Sequence, residues 1–269
     1  MATKQRLDRL LVVRGLCESR QIAQRFIRAG EVRVNDQLID KPGSEVPLDA
    51  EIVVKQKPRF VSRGGEKLIK ALTQFELSID GRICLDAGIS TGGFTDCLLQ
   101  YGAAHVYGID VGYGQVAWSL RQDSRVTLKE RTNFRYLQPQ DLYQGPVLAD
   151  LAVADLSFIS LTKVLTALWS LLKFPRDIVL LVKPQFEVGR ERIGKKGVVR
   201  DSGDQGQALF DVITAALNQG WEFHQCTDSP ILGPAGNREF LVWFNQEAGS
   251  EPPSLFELKQ FCRTLQTKT

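Results

Sequence analysis

The sequence predicts an α/β protein: a doubly wound, mostly parallel sheet with helices on both faces, preceded by a small α+β module. Three observations predict it. From Ile83 onward, short apolar and β-branched runs alternate with helical patterns. The first of those strands ends in a glycine-rich turn, Asp86-Ala87-Gly88-Ile89-Ser90-Thr91-Gly92-Gly93, and later strands end in charged residues. The first 67 residues carry 14 of the 34 basic and 9 of the 31 acidic side chains, a net of +5, leaving 20 and 22 and a net of −2 for residues 68–269. A basic segment on a near-neutral body is a cue for a polyanion-binding appendage. Charge alone fits a solvated surface better, and what shifts the balance is where the arginines sit.

Length and composition bound the rest. A chain of 269 residues makes one to two domains and buries enough apolar surface to fold without disulfides or a metal. Hydrophobic content of 43% and charged content of 24% belong to a soluble globular protein, not to a disordered, collagen-like or membrane-spanning one. The apolar runs, such as residues 178–182, fall far short of the roughly 18 residues that cross a bilayer. The start, Met1-Ala2-Thr3-Lys4-Gln5-Arg6, has no apolar core and no small-residue cleavage site, so no secretory signal is expected. The five cysteines (Cys17, Cys84, Cys97, Cys226, Cys262) form no C-x-x-C pair, which points to reduced thiols in the cytoplasm and no zinc site. With only His105 and His224, histidine metal centres and most triads are also disfavoured, and no metal is expected.

In the N-terminal module, Leu7, Leu10 and Leu11 have the spacing of a short amphipathic helix. Ser19 is a good N-cap for a second helix that runs to Gly30. Its Ile22, Ala23, Phe26, Ile27 and Ala29 share one half of a helical wheel, and Arg20, Gln24, Arg25 and Arg28 the other. Residues 31–34 read as a strand, Asn35-Asp36 as a turn, and 52–54 as another strand. Guanidinium forks suit phosphate oxygens and position a protein on RNA without reading its sequence. The run Arg6-Leu7-Asp8-x-x-Leu11, then Ser19-Arg20-x-x-Ala23-x-x-x-Ile27-x-x-Gly30-x-Val32-x-Val34-Asn35, resembles the αL-type RNA-binding module of a small-subunit ribosomal protein, pseudouridine synthases and tyrosyl-tRNA synthetases. The match spans about residues 5–55, and it implies that Arg6, Arg20, Arg25 and Arg28 contact RNA. Lys55-Gln56-Lys57-Pro58 reads as a linker, giving domains over 1–58 and 59–269.

In the body, strands are expected at 83–85, 106–109, 126–129, 151–154, 178–182, 221–224 and 240–244. Helices are expected at 94–101, 116–120, 162–172 and 208–219, and a packing helix over 254–266. In such a sheet, ligands bind beyond the carboxyl ends of the strands, at the switch point. The turn after the first strand is spaced G-x-x-x-G-G with Asp86 two positions before the first glycine, which departs from the dinucleotide fingerprint. Together with Asp110 at the end of the second strand, placed to accept ribose hydroxyls, it favours S-adenosylmethionine over a nicotinamide cofactor. Two lysines and two carboxylates also lie at this end of the sheet: Lys67 before the first strand, Asp155 after the fourth, Lys183 after the fifth, and Glu239 before the last. Singly, each reads as an ion-pair residue; together beside a cofactor turn, they read as a site.

Methyl transfer from a sulfonium is an in-line displacement that needs a nucleophile. A ribose hydroxyl is a poor one, and a lysine set among compensating charges can lower the cost of its deprotonation and take its proton. The fourth strand is followed by Asp155-Leu156-Ser157-Phe158 rather than the Asn/Asp-Pro-Pro-Tyr/Phe tetrad of amino-directed enzymes, and no cysteine stands in the loop context of a base-carbon nucleophile. A hydroxyl target remains. Cys84, Cys97, Trp118 and Trp169 read as core or interface residues. Gly194-Lys195-Lys196-Gly197, within 189–203, reads either as a mobile loop over RNA or as a plain surface loop, with Lys195 and Lys196 the candidate RNA contacts.

Almost the whole chain resembles the TlyA family, historically labelled haemolysins, which are ribosomal RNA 2′-O-methyltransferases related to FtsJ. The segments that carry it are Val61-Ser62-Arg63-Gly64-Gly65-Glu66-Lys67, residues 85–95, Asp110-Val111-Gly112-Tyr113-Gly114-Gln115, Glu130-Arg131-Thr132-Asn133, residues 154–160, Val182-Lys183-Pro184-Gln185-Phe186-Glu187 and Gly236-Asn237-Arg238-Glu239. The resemblance implies a Rossmann-like methyltransferase sheet with a catalytic Lys67-Asp155-Lys183-Glu239 set, in which Lys183 is nearest the attacking hydroxyl. It implies a cofactor set of Asp86, Gly88, Ser90, Gly92, Gly93, Phe94, Asp110, Asn133 and Phe134, with Asn133 near the adenine. The implied partner is ribosomal RNA or a ribosomal subunit, the target a cytidine ribose of the small or large subunit or both, and the location cytoplasmic. The alternative is a non-catalytic rRNA-binding assembly factor on the same fold. A membrane-lytic role is disfavoured, because no long amphipathic segment with a broad apolar face is present. Oligomeric state is left open by the sequence.

Overall fold

A computed structural model describes residues 4–55, 58–247 and 249–266. The chain divides into two compact units, Met1–Pro58 and Arg59–Thr269. Of the expected linker, Gln56 and Lys57 lie outside the described residues.

The first unit contains β1 (Lys4–Arg6), α1 (Leu7–Val13), α2 (Arg20–Arg28), β2 (Val32–Val34), β3 (Gln37–Leu38), β4 (Glu45–Pro47) and β5 (Ile52–Val54). Strand β1 pairs antiparallel with β4, and β3-β2-β5 form a second small sheet. Ser19 caps α2 as its sequence position requires, its Oγ accepting from the Ile22 amide at 3.3 Å. Leu7, Leu10, Leu11, Ala23, Ile27, Val32 and Val46 make the core, so the apolar stripes of both helices face inward. Asn35 and Asp36 both adopt left-handed backbone (φ 47° and 62°), the geometry of a tight hairpin turn from β2 to β3. Ala29, placed on the apolar half of the wheel, is exposed, because the helix ends at Arg28 and Ala29 is its C-cap.

The second unit runs α3 (Gly64–Gln74), β6 (Ile83–Ala87), α4 (Gly93–Gln100), β7 (His105–Ile109), α5 (Trp118–Arg121), β8 (Val126–Lys129), α6 (Pro139–Leu142), β9 (Ala149–Ala154), α7 (Leu165–Leu171), β10 (Leu172–Val182), α8 (Pro184–Glu187), α9 (Ser202–Asn218), β11 (Glu222–Asp228), β12 (Phe240–Asn245) and α10 (Leu255–Gln266). Its seven-stranded sheet has the order β11-β12-β10-β9-β6-β7-β8. Strands β6 to β10 are parallel, and β12 runs antiparallel between β10 and β11. Period-two alternation divides the core between the two faces. Cys84, Val153, Val179, Leu181 and Leu241 pack with α3 and α4; Leu85, Ala152, Ala154, Leu180 and Val242 pack with α7, α9 and α10. Burial raises the Cys84 and Cys97 thiols to about 12, as suits core residues and not nucleophiles.

Two sequence readings are corrected here. Helix α3 is absent from the expected elements because its first turn contains Gly64-Gly65, a pair that reads as a loop. A Cβ on Gly65 would lie 2.1 Å from the Phe60 ring, so the glycine is kept for packing. Trp118 is 70% exposed, on the single turn of α5, and is not a core residue, whereas Trp169 packs edge-to-face on Trp221 at 5.1 Å.

Candidate active site

Strand order reverses between β6 and β9: the chain builds outward from β6 through β7 to β8, then returns to β9 on the other side. The crevice of a doubly wound sheet opens at that point. Gly88, just past β6, has φ +87°, and a Cβ there would sit 2.8 Å from the Asp155 carbonyl oxygen, so only glycine fits where the two strand ends meet. The Asp155 amide donates to Ala87 O at 3.1 Å and ties the ends together. At Gly93 a Cβ would meet Ser62 Oγ at 2.2 Å and the Gly65 amide nitrogen at 2.9 Å, so the first turn of α3 rests directly on the glycine-rich turn.

Two adjoining cavities occupy this end. One, of about 540 Å³, is lined by Gly88, Ser90, Asp110, Gln115, Thr132, Asn133, Phe134, Arg135 and residues 155–159. The other, of about 190 Å³, is lined by Arg63, Lys67, Gly88, Ser90, Gly93, Phe94, Asp155 and the loop of Ile231, Leu232 and Pro234. They share Gly88, Ser90 and Asp155. Asp110 Oδ2 accepts from the Ser90 amide (2.8 Å) and Oδ1 from the Gly112 amide (2.7 Å), so the carboxylate is fixed at the rim with one lone pair left on each oxygen. Asn133 caps the turn after it, accepting from the Arg135 amide at 3.1 Å.

Of the expected cofactor residues, Asp86 and Gly92 do not line either cavity. Asp86 is fully buried behind the turn, accepts from Thr95 Oγ1 at 2.7 Å, and leaves Oδ1 without a partner. Burial, opposed by the Thr95 hydrogen bond, pushes its carboxyl up to about 7. Gly92 (φ +99°) is the left-handed N-cap of α4, and it shapes the turn from the side of Leu120. A cleft with an uncharged aromatic and amide wall (Phe134, Asn133), a carboxylate at one rim and an orphaned buried carboxylate oxygen behind the glycine turn suits an adenosine with a zwitterionic tail.

The four charged residues form two pairs. Lys67 on α3 donates to Glu239 Oε2 at 2.5 Å, with side-chain exposures of 9% and 1%. Lys183, at the end of β10, lies 2.6 Å from Asp155 Oδ1 and donates to Ser157 Oγ at 2.8 Å. Lys67 and Asp155 line the same cavity, so the pairs flank one space. Glu239 Oε1 is buried without a partner against Gly233. Such desolvated pairs are costly to bury, and beside a cleft they make a candidate site.

Sequence reasoning missed the residues that hold these groups. Segments 155–161 and 183–187 are closed along their length. The Phe158 and Phe186 rings stand 5.2 Å apart, and Glu187 accepts from Ser160 Oγ (2.6 Å) and the Leu161 amide (2.9 Å). Burial raises the Glu187 carboxyl, and those hydrogen bonds oppose the shift. Phe158 is 92% exposed at the mouth, in left-handed backbone (φ 66°). A lone aromatic after Asp-Leu-Ser carries no sequence signal of that exposure.

In the first unit, buried Asp8 accepts from Arg6 Nη2 (3.0 Å), Arg20 Nε (2.8 Å) and Gln24 Nε2 (2.9 Å). These donors hold its carboxyl well below the usual carboxylate range, against the desolvation that would raise it. Arg25 and Arg28 are exposed in the last turn of α2. Lys195 and Lys196, in the second unit, are exposed on a short 3-10 turn. That loop is anchored at buried Val199, whose amide donates to Asn237 Oδ1 at 2.9 Å and whose carbonyl accepts from Gln205 at 2.8 Å. Among the described residues, no group of acidic, histidine and cysteine side chains is arranged to hold a metal ion, and no helix is long and apolar enough to cross a membrane.

Residues 60–246 match the FtsJ-like methyltransferase family, and residues 5–52 match the S4 domain. The 16S/23S rRNA (cytidine-2′-O)-methyltransferase TlyA of Mycobacterium tuberculosis is 47% identical, covering 92% of each chain. A Bacillus subtilis protein provisionally named as rRNA methyltransferase YqxC is 50% identical over 89% of this chain and 85% of its own. A solved structure from Streptococcus thermophilus that carries a provisional haemolysin name superposes with a TM-score of 0.74 at 42% identity, covering 100% of this chain and 98% of that one.

Proposed function

The chain belongs to the TlyA family of FtsJ-like methyltransferases, and from that premise we propose that it methylates the 2′-hydroxyl of a ribosomal RNA ribose, at a cytidine of the small or large subunit or both. Residues 1–58 form the RNA-gripping domain and 59–269 the methyltransferase domain, working on ribosomal RNA or a subunit in the cytoplasm. The observation that supports the reading most is the double lysine–carboxylate arrangement around the cavity at the switch point.

S-adenosylmethionine, when bound, supplies an electrophilic methyl group. Gly88, Ser90, Gly93, Phe94, Asp110, Asn133 and Phe134 hold it, while Asp86 and Gly92 shape the turn from behind. Lys183 acts on the attacking hydroxyl: as the free amine it takes up the hydroxyl proton at Nζ, and the ammonium so formed stabilises the alkoxide as it attacks the methyl carbon. Asp155 fixes that nitrogen at 2.6 Å. Lys67, neutralised in part by Glu239, adds a second positive charge without being lost to solvent. The exposed Phe158 ring offers a face on which a splayed-out base can stack. Arg6, Arg20, Arg25, Arg28, Lys195 and Lys196 meet phosphates.

The test uses the pure full chain, methyl-labelled S-adenosylmethionine and ribosomal subunits from cells lacking the protein. Label is expected on rRNA ribose, and Lys183→Ala is expected to lower its rate at least 100-fold with fold and cofactor affinity unchanged. Full activity in that variant would contradict the assignment of Lys183.

A further inference from the structure

Lys183 has two anchors from one loop. Asp155 and Ser157 lie two residues apart in the loop that follows β9. Both reach the same nitrogen, Asp155 Oδ1 at 2.6 Å and Ser157 Oγ at 2.8 Å. Leu156 between them lies against Gly88, where a Cβ would meet its Cδ2 at 3.0 Å. Ser157 is exposed and lines the cavity, while Lys183 is 8% exposed. The hydroxyl therefore stands between the buried ammonium and the open mouth.

The loop is held in this shape at a cost. Phe158 takes left-handed backbone at φ 66°, a conformation that bulky side chains avoid and that persists only where the surroundings impose it. The surroundings here are Glu187, which receives Ser160 Oγ and the Leu161 amide, and the Phe186 ring against Phe158. Strain of this kind next to a reactive group is more economically explained by the site than by the fold. A lysine on a four-carbon stem, pinned by one carboxylate, can still swing about that contact. The hydrogen bond to Ser157 Oγ adds a directional contact to that ion pair, and so sets where the nitrogen's other N–H bonds point in the ammonium and where its lone pair points in the amine.

We propose that Ser157 is a positioning residue for Lys183, its hydroxyl setting the direction in which Nζ meets the substrate hydroxyl. The proposal rests on the ribose-methyltransferase reading. It requires no contact between Ser157 and the methyl donor and no covalent step at the serine.

The experiment compares wild type, Ser157→Ala, Ser157→Thr and Lys183→Ala in the same methylation assay at varied RNA and S-adenosylmethionine. Ser157→Ala is expected to lower kcat about 10-fold with KM for both substrates and the calorimetric affinity for S-adenosylhomocysteine unchanged. Ser157→Thr, which keeps the hydroxyl, is expected to recover most of the rate. Being exposed, position 157 should tolerate either change without unfolding. A Ser157→Ala kcat within 2-fold of wild type would overturn the proposal. So would a loss confined to KM for RNA, or equal losses in the alanine and threonine variants. Absence of methylation by wild type would instead overturn the reading on which it rests.

Discussion

Asp86 stands out because its environment raises the carboxyl to about 7, with burial the main cause. A carboxyl whose folded value lies above its ordinary 3.8 binds its proton more tightly when folded. The stability this contributes is present below about pH 4 and is lost as pH rises through about 7. Asp86→Asn, which cannot ionise yet can still accept from Thr95, should therefore gain stability over wild type as pH rises. Urea unfolding without cofactor should show an advantage for the variant that is on the order of 1 kcal/mol near pH 4.5 and grows to on the order of 4 kcal/mol at pH 8. An advantage that does not change with pH would contradict the assigned cause. The catalytic candidates were legible at this scale because lysines and carboxylates at strand ends are few and chemically distinctive. Ser157, Phe158 and Glu187 were not. A serine, a phenylalanine and a glutamate acquire meaning only from what two loops bring together: Ser157 Oγ at Lys183, Glu187 at Ser160 Oγ, and the Phe158 ring at Phe186.

At the scale of elements, α2 is the clearest case of sequence pattern becoming surface. Its Ser19 cap and apolar stripe fix which side faces the core, and the arginines are left outside. Arg6 and Arg20 are nevertheless not independent cations, since both lean on Asp8. Replacing Arg25 or Arg28 by alanine should weaken RNA binding evenly and lower the dependence of log affinity on log salt by about one phosphate contact each. Asp8→Ala removes a negative charge and should still weaken binding, because Arg6, Arg20 and Gln24 lose the group that arranges them; tighter binding in that variant would show that net charge alone governs the grip. The alternation that sends Leu85 and Cys84 to opposite faces made the sheet legible from sequence. Helix α3, which carries Lys67, was hidden by Gly64-Gly65, whose missing side chains serve contacts with Phe60 and the glycine-rich turn, features that appear only after folding.

For the whole molecule, the net charge of +3 sits in the appendage: residues 1–58 carry 11 basic and 8 acidic side chains, and residues 59–269 carry 23 of each. The appendage matches the S4 domain and the body the FtsJ-like methyltransferase family. The order of strands places the candidate catalytic and cofactor residues at one end of one sheet, while at the opposite end Arg82 bridges Asp150 (2.6 Å) and Asp177 (2.8 Å). The most direct measurement is a map of ribose methylation across all ribosomal RNA from cells with and without this chain. Loss of 2′-O-methylation at one or two cytidines, restored by wild type and not by Lys183→Ala, is the predicted result. An identical map in both cells would contradict the account.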